Sequence, residues 1–305
     1  MAPVTAARVD IHPHTVQRQF DARAPRHAAH DALVREVSTR MVERLSYLRH
    51  PVQRLLDLGC GSGDSRAALQ SQFPQAQWLG VDLSPARLHA DGAKSSWSQR
   101  LRGLLARGKS TALRVCANAD ALPFADGSLD MVFCNLMLHW HPAPHAVVAE
   151  IARVLRSGGL LFFSSYGPDT LLQLRQACAQ ALPAALPMPY VDMHDYGDML
   201  VAAGFEAPVM EVENLDLRYP SASALLAEVR ALGGNPRADR AQGLPGGRQA
   251  RALHAALAAQ TGADGRIGLR FEIVVGHGWK AAPRPPAGMG TIALPAPYRR
   301  QAGRG

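Results

Sequence analysis

The chain has 305 residues, of which 47% are hydrophobic and 19% charged, with a formal net charge of +8. That composition suits a globular protein of one large domain, or one domain with an appended lobe, and excludes a disordered or fibrous chain. The sequence contains no run of about 18 apolar residues, so no membrane span is expected.

The opening stretch "MAPVTAARVDIHPHTVQRQF" lacks the apolar core of a secretory signal. Cys60, Cys116, Cys134 and Cys178 are widely spaced, without a C-x-x-C pair. A reduced, cytoplasmic protein with neither a disulfide frame nor a zinc site is therefore expected.

In chain order, Val34, Val37, Met41, Leu45 and Leu48 recur at three or four residues, which predicts an amphipathic helix ending before Pro51. "VQRLLDL" predicts a first strand, residues 64–72 a helix, and "AQWLGVDL" a second strand with Asp82 at its end. Pro85 suits the first turn of the next helix. Residues 94–110 read as a basic, irregular insertion. "TALRVCAN" predicts a third strand, and "DMVFCNLML" a fourth that is apolar throughout, as when both faces are covered. Residues 144–156 predict a helix, and "GGLLFFSSY" a fifth strand.

Beyond Tyr166, helices are expected over 168–182, 196–204, 221–232 and 248–260, with strands at "VMEVENLDLRYP" and "LRFEIVVGHGWK". Strands alternating with helices imply an α/β fold, mostly parallel with an antiparallel closing strand and helices on both faces. Four parts are expected. Residues 1–50 form a covering segment and helix, 51–166 the ligand-binding core, 167–280 a lid that completes the sheet, and 281–305 a disordered basic tail rich in Pro, Gly and Ala.

The positive charge sits partly in that tail and partly in Lys94, Arg100, Arg102, Arg107, Lys109 and Arg114. Few aromatics interleave with these cations, so single-strand nucleic-acid binding is not expected.

Ligands of parallel sheets bind at the carboxyl ends of the strands. After the first strand stands Gly59-Cys60-Gly61-Ser62-Gly63-Asp64. No Gly-Lys-Ser/Thr follows, which excludes a phosphate-gripping loop, and neither glycine frame completes G-x-G-x-x-G. Asp57 before the loop suits a cation, and Asp82 suits the hydroxyls of a ribose. A ligand with an amine and a ribose is implied, and S-adenosylmethionine meets both conditions.

These residues resemble the Rossmann-like S-adenosylmethionine-dependent methyltransferases. The matching segments are "LLDLGCGSGD", "GVDLSPARL", "ANADALPFADGSLDMVFCNLMLHW" and "EIARVLRSGGLLFFSSY". The resemblance implies that Asp57 and the loop Gly59, Cys60, Gly61 and Gly63 hold the methionine end. It places Asp82 on the ribose, Leu83 on the adenine face, and Asn118 and Ala119 at the adenine edge. Asn118 stands where the family usually has Asp. Asn135, just after the fourth strand, joins the cofactor set.

The flanking segments "QRQFDARAPRHAAHDALVREV", "SSYGPDTLLQLRQA", "HDYGDMLVAAGFEAPVMEVENLDLRYPS", "EVRALGGNP" and "EIVVGHGWK" resemble the malonyl-acyl-carrier-protein O-methyltransferase family of biotin synthesis. The implied acceptor is the free carboxylate of a malonyl group on acyl carrier protein, an acidic partner that the basic insertion would steer. Phe20, Arg23 and His27 would cover cofactor and substrate, with His139 and Trp140 at the substrate mouth. His27 replaces the Tyr expected there.

Two alternatives stay open. One is methylation of another small molecule such as a phenol, with His139 as a base. The other is a hydroxylase or assembly factor that retains the cofactor pocket. His139, His141 and His145 are not expected to bind metal, because Pro142 and Pro144 interrupt them and no acid or Cys completes a set. Asp195 is expected to cap a helix.

Overall fold

The computed structural model describes residues 10–25, 31–48, 50–90, 113–182, 185–240 and 246–282. His27, the basic residues 94–110 and nearly all of the expected tail lie outside the described residues.

Seven strands form one sheet in the order β3-β2-β1-β4-β5-β7-β6. They are β1 (Arg54–Leu58), β2 (Gln77–Asp82), β3 (Leu113–Cys116), β4 (Leu129–Cys134), β5 (Leu155–Tyr166), β6 (Phe205–Tyr219) and β7 (Ile267–Lys280). The pairs among β1 to β5 are parallel, and β7 runs antiparallel to both β5 and β6. The helices are α1 (Pro13–Arg23), α2 (Ala32–Leu45), α3 (Arg66–Gln72), α4 (Pro85–His89), α5 (Pro144–Val154), α6 (Leu172–Ala181), α7 (Met193–Ala202), α8 (Ala222–Ala231) and α9 (Gly247–Ala258). Among the described residues no helix is long and apolar enough to cross a membrane.

Alternation along the strands divides the core between the two faces of the sheet. Leu55, Trp78, Met131, Phe133, Leu160 and Phe162 pack with Val37, Met41 and Leu45 of α2. Leu56, Leu79, Val132, Leu161 and Phe163 pack on the other side with Val148 and Ile151 of α5 and with Tyr196 and Leu200 of α7. Each such fully buried side chain contributes about 1.5–3 kcal/mol. This double covering is why β4 reads as an unbroken apolar run.

Several boundaries differ from expectation, each for a local reason. β4 ends at Cys134, not near residue 138. The Leu136 N–H turns to Ser164, donating to its Oγ at 3.0 Å, and Leu136 adopts φ 49°. A single 3-10 turn, Leu138–Trp140, follows.

The helix expected to reach Arg156 stops at Val154. Leu155 is already paired with Leu129, and the Arg156 guanidinium lies 2.5 Å from Asp130. α6 starts late because the Leu171 N–H donates to the Arg270 carbonyl of β7 at 2.7 Å. α7 starts early and is capped by Asp192, which accepts from the His194 N–H at 2.8 Å; Asp195 lies in the first turn and is not the cap.

Arg114, a member of the basic cluster in the sequence, is spent inside the fold. It donates to the Leu88 carbonyl at 2.8 Å and the Ser62 carbonyl at 2.7 Å.

The covering segment contains α1, for which the sequence offered no periodic signal. It has a small core of its own, in which Ile11, Val16 and Met188 are buried with Phe20 and Trp140 packed against them. Asp21 of α1 docks on the opening of α4, accepting from Ser84 Oγ at 2.5 Å and from the Ala86 N–H at 3.2 Å.

Candidate active site

The chain order reverses between β1 and β4, and the crevice at their carboxyl ends is where open α/β sheets bind ligands. Gly59 follows β1 with φ 78°, and a Cβ there would lie 2.7 Å from Met137. The glycine thus lets the loop after β1 pass close to the loop after β4. A pocket opens at this point. Gly59, Asp82, Leu83, Asn118, Ala119 and Asn135 line its sheet side, and Phe20 and Trp140 line its outer rim. Of the other candidates, Asp57, Cys60, Gly61, Gly63, Arg23 and His139 are not among the lining residues.

Asp82 is held at both oxygens. Oδ2 accepts from the Gly61 N–H at 2.8 Å and Oδ1 from the Ser84 N–H at 2.8 Å. Burial pushes its carboxyl above the usual range, and these two donors pull it partly back. The group is therefore a rigid acceptor at the tip of β2.

Asp57 is buried under the loop, with Oδ2 unpartnered. Desolvation raises its carboxyl to about 7, with Asp82 and Asp64 adding to the rise. Trp78 and Arg114 oppose that rise, and a buried carboxyl with one unpartnered oxygen in that position suits a nearby cation. This orphaned oxygen and the fixed Asp82 fit the amine and ribose of S-adenosylmethionine.

The loop itself offers few donors. The Gly59 and Cys60 N–H groups both go to the Val81 carbonyl, Gly63 donates to Cys60, and Gly61 donates to Asp82. This internal bonding is a second reason, independent of the missing lysine, that the loop is no phosphate cradle. Cys60 is buried, which raises its thiol pKa. It serves as packing against Gly80, where a Cβ would meet its Sγ at 2.8 Å.

Asn135 lines the pocket, yet its amide is committed to protein partners. Nδ2 donates to the Val34 carbonyl at 2.9 Å, and Oδ1 accepts from Ser164 Oγ at 2.8 Å. It ties α2 to the ends of β4 and β5.

The outer rim is aromatic. Phe20 and Trp140 meet edge to face at 5.2 Å. Tyr166 and Leu232 complete the wall. Gly233, at φ 135°, lies so close to Trp140 that a Cβ would sit 2.2 Å from the indole. Gly234 abuts Arg23, whose Nη2 would be 3.4 Å from a Cβ. Arg23 donates to the Gln19 carbonyl at 2.9 Å, and burial lowers its pKa. The "GGNP" segment is therefore a packing surface for α1 and the turn after β4.

His139 does not face the pocket. It is 5% exposed and stacks between Trp140 and Tyr166, with ring centroids 4.9 and 4.2 Å away. Burial holds its pKa down to about 3, so the ring stays neutral at physiological pH. The histidine that lines the pocket is His141. Its Nδ1 accepts from the Ala143 N–H at 3.1 Å, and its Nε2 lies 3.3 Å from Asp120. The two rings point to different partners, and among the described residues no three His, Cys, Asp or Glu side chains are grouped to hold a metal.

Sequence reasoning did not single out Arg87, Met137, Tyr166 or Leu232, all of which line the pocket. The position of Arg87, five residues after Asp82 in a helix opened by Pro85, was the one available signal.

Residues 56–163 match the methyltransferase domain family. The chain is 43% identical to the malonyl-[acyl-carrier protein] O-methyltransferase of Laribacter hongkongensis, covering 88% of this chain and 90% of that protein. It is 40% identical to the same-named protein of Gallionella capsiferriformans, over 88% of this chain and 91% of the relative. In fold it is similar to the YcgJ protein of Bacillus subtilis, with a TM-score of 0.55 and 18% identity, covering 80% of this chain and 100% of that one. Because relatives of that name are 40–43% identical over 88% of it, the chain belongs to the malonyl-[acyl-carrier protein] O-methyltransferase family.

Proposed function

We propose that this chain is a cytoplasmic enzyme that methylates the free carboxylate of a malonyl group carried by acyl carrier protein, a step of biotin precursor synthesis. The observation that carries the reading is the identity of 40–43%, over 88% of the chain, to relatives named for that reaction.

S-adenosylmethionine supplies an electrophilic methyl group on a sulfonium. In this reading Asp82 holds the ribose hydroxyls, Leu83, Asn118 and Ala119 border the adenine, and Asp57 stabilises the cationic methionine end beneath Gly59. Phe20, Trp140 and Tyr166 exclude water and hold the malonyl chain.

The acceptor carboxylate is ionised at pH 7, so no base has to remove a proton. The protein's contribution is alignment of the acceptor oxygen with the methyl group in a dry site. A neutral His139 set back from the pocket is consistent with that economy. Methyl transfer cancels the acceptor's charge and leaves an ester that passes as an apolar acyl end.

The deciding experiment incubates the protein with methyl-labelled S-adenosylmethionine and malonyl-acyl carrier protein. Label recovered as a base-labile methyl ester on the carrier is the expected result. Cofactor binding without transfer to the carrier would overturn the acceptor assignment and favour another acceptor or an assembly role.

A further inference from the structure

Arg87 is a buried cation that the crevice does not explain. It is 8% exposed and lines the pocket from the short helix α4. Its guanidinium lies against the glycine loop, and a Cβ on Gly61 would be 2.3 Å from Nη2. Asp82, Asp64 and Asp31 act on it through space, yet Nη1 is buried without a hydrogen-bond partner. A guanidinium withdrawn from water in this way is costly unless something pairs with it.

The ligand chemistry supplies that partner. The amino-acid end of the cofactor is a zwitterion. Its ammonium is matched by the acids around the loop, but its carboxylate needs donors. The N–H groups of Gly59, Cys60, Gly61 and Gly63 are already consumed inside the protein. Among the described residues that line the pocket, Arg87 is the only permanently charged cation. A planar guanidinium presents paired donors that match a carboxylate.

We propose that Arg87 is a cofactor-binding residue whose guanidinium receives the carboxylate of S-adenosylmethionine, with the surrounding aspartates holding it in place. Gly61 is then required twice, for its φ of 52° and for the space its missing side chain leaves to Arg87. The proposal rests on the cofactor assignment above and is independent of the methyl acceptor.

The test is calorimetric and needs no turnover. S-adenosylmethionine and its decarboxylated form, which keeps the amine, sulfonium and adenosine, are titrated into the full chain. The wild-type protein should prefer the carboxylated ligand by tenfold or more. Arg87→Met should lose that preference, weakening the carboxylated ligand by about ten- to a hundredfold and the decarboxylated one by less than threefold. Arg87→Lys should recover part of the difference.

Equal wild-type affinity for the two ligands would overturn the proposal without any variant, a safeguard if Arg87→Met fails to fold. Equal weakening of both ligands by Arg87→Met would also overturn it, by assigning Arg87 to support of the Gly61–Asp82 geometry. Failure of the wild type to bind either ligand would instead overturn the cofactor assignment itself.

Discussion

The two sides of the pocket are built on different physical rules. The sheet side comes from consecutive strand ends of one parallel sheet, and its key contacts are charged and hydrogen-bonded. Asp82 with its two backbone donors and Asp57 with its orphaned oxygen are examples. The rim comes from segments far apart in the chain, α1, the turn after β4 and the end of α8. It is held by aromatic packing that only glycine at 233 permits. The sheet side can be damaged by removing one acceptor. The rim is damaged by adding one methyl group. A single crevice thus joins a locally encoded half, to which the proposal assigns the cofactor, with a half assembled in three dimensions, to which it assigns the acceptor.

The largest effect expected is at the sheet side. Asp82→Ala removes the acceptor for the Gly61 and Ser84 N–H groups and, with it, the proposed ribose partner. Cofactor affinity should fall about a hundredfold or more, and the free protein should lose roughly 1–3 kcal/mol. Calorimetry with S-adenosylhomocysteine and urea unfolding measure the two.

Next comes the rim. Gly233→Ala drives a methyl into Trp140 at a backbone angle that side chains rarely adopt. Its kcat/KM for the malonyl carrier should drop roughly ten- to a hundredfold. Cofactor affinity, measured by titration, should change by less than threefold. A matching fall in cofactor affinity would erase the distinction between the two halves.

Asp57→Asn tests a trade between stability and binding. A carboxyl raised to about 7 in the folded state contributes stability below its unfolded pKa and loses that contribution as pH rises through about 7. At pH 8 the variant should therefore be more stable than the parent without cofactor, by an amount on the order of 2–4 kcal/mol. Its cofactor affinity should be lower, and it should lose the tightening expected as pH rises from 6 to 8. Thermal unfolding and titration across that range check the sign.

The smallest effect is assigned to His139. Replacement by Phe keeps the stack on Tyr166 and should leave kcat within about threefold, with a flat profile between pH 6 and 8. A loss of a hundredfold or more would restore a base at that position and point to an acceptor that must be deprotonated.

Much of the sheet side was readable in the chain. Asp82 is recognisable because an acid at the end of a short apolar strand has only one face on which to act. The glycine loop is recognisable because its spacing excludes the phosphate-binding patterns. The residues that escaped are those whose role depends on partners elsewhere. Arg87 looks like a solvated helix residue until α4 is set against the loop. His139 looks like a residue at the mouth until Leu136 turns the chain and swings the ring behind Trp140. "EVRALGGNP" carried the family resemblance without showing that its glycines serve Trp140 and Arg23.

By itself the sequence determined the alternation of strands and helices, the doubly covered sheet and the acidic strand ends, because these follow from residue periods of two and of three to four and from local turn chemistry. Only the tertiary structure decided where β4 stops, which histidine meets the pocket, that Asn135 and Arg114 are spent on the fold, and that Arg87 lies against the loop with Nη1 lacking a hydrogen-bond partner. Each of these depends on a hydrogen bond, a packing contact or a desolvated charge between segments distant in the chain, and no local pattern records such a contact.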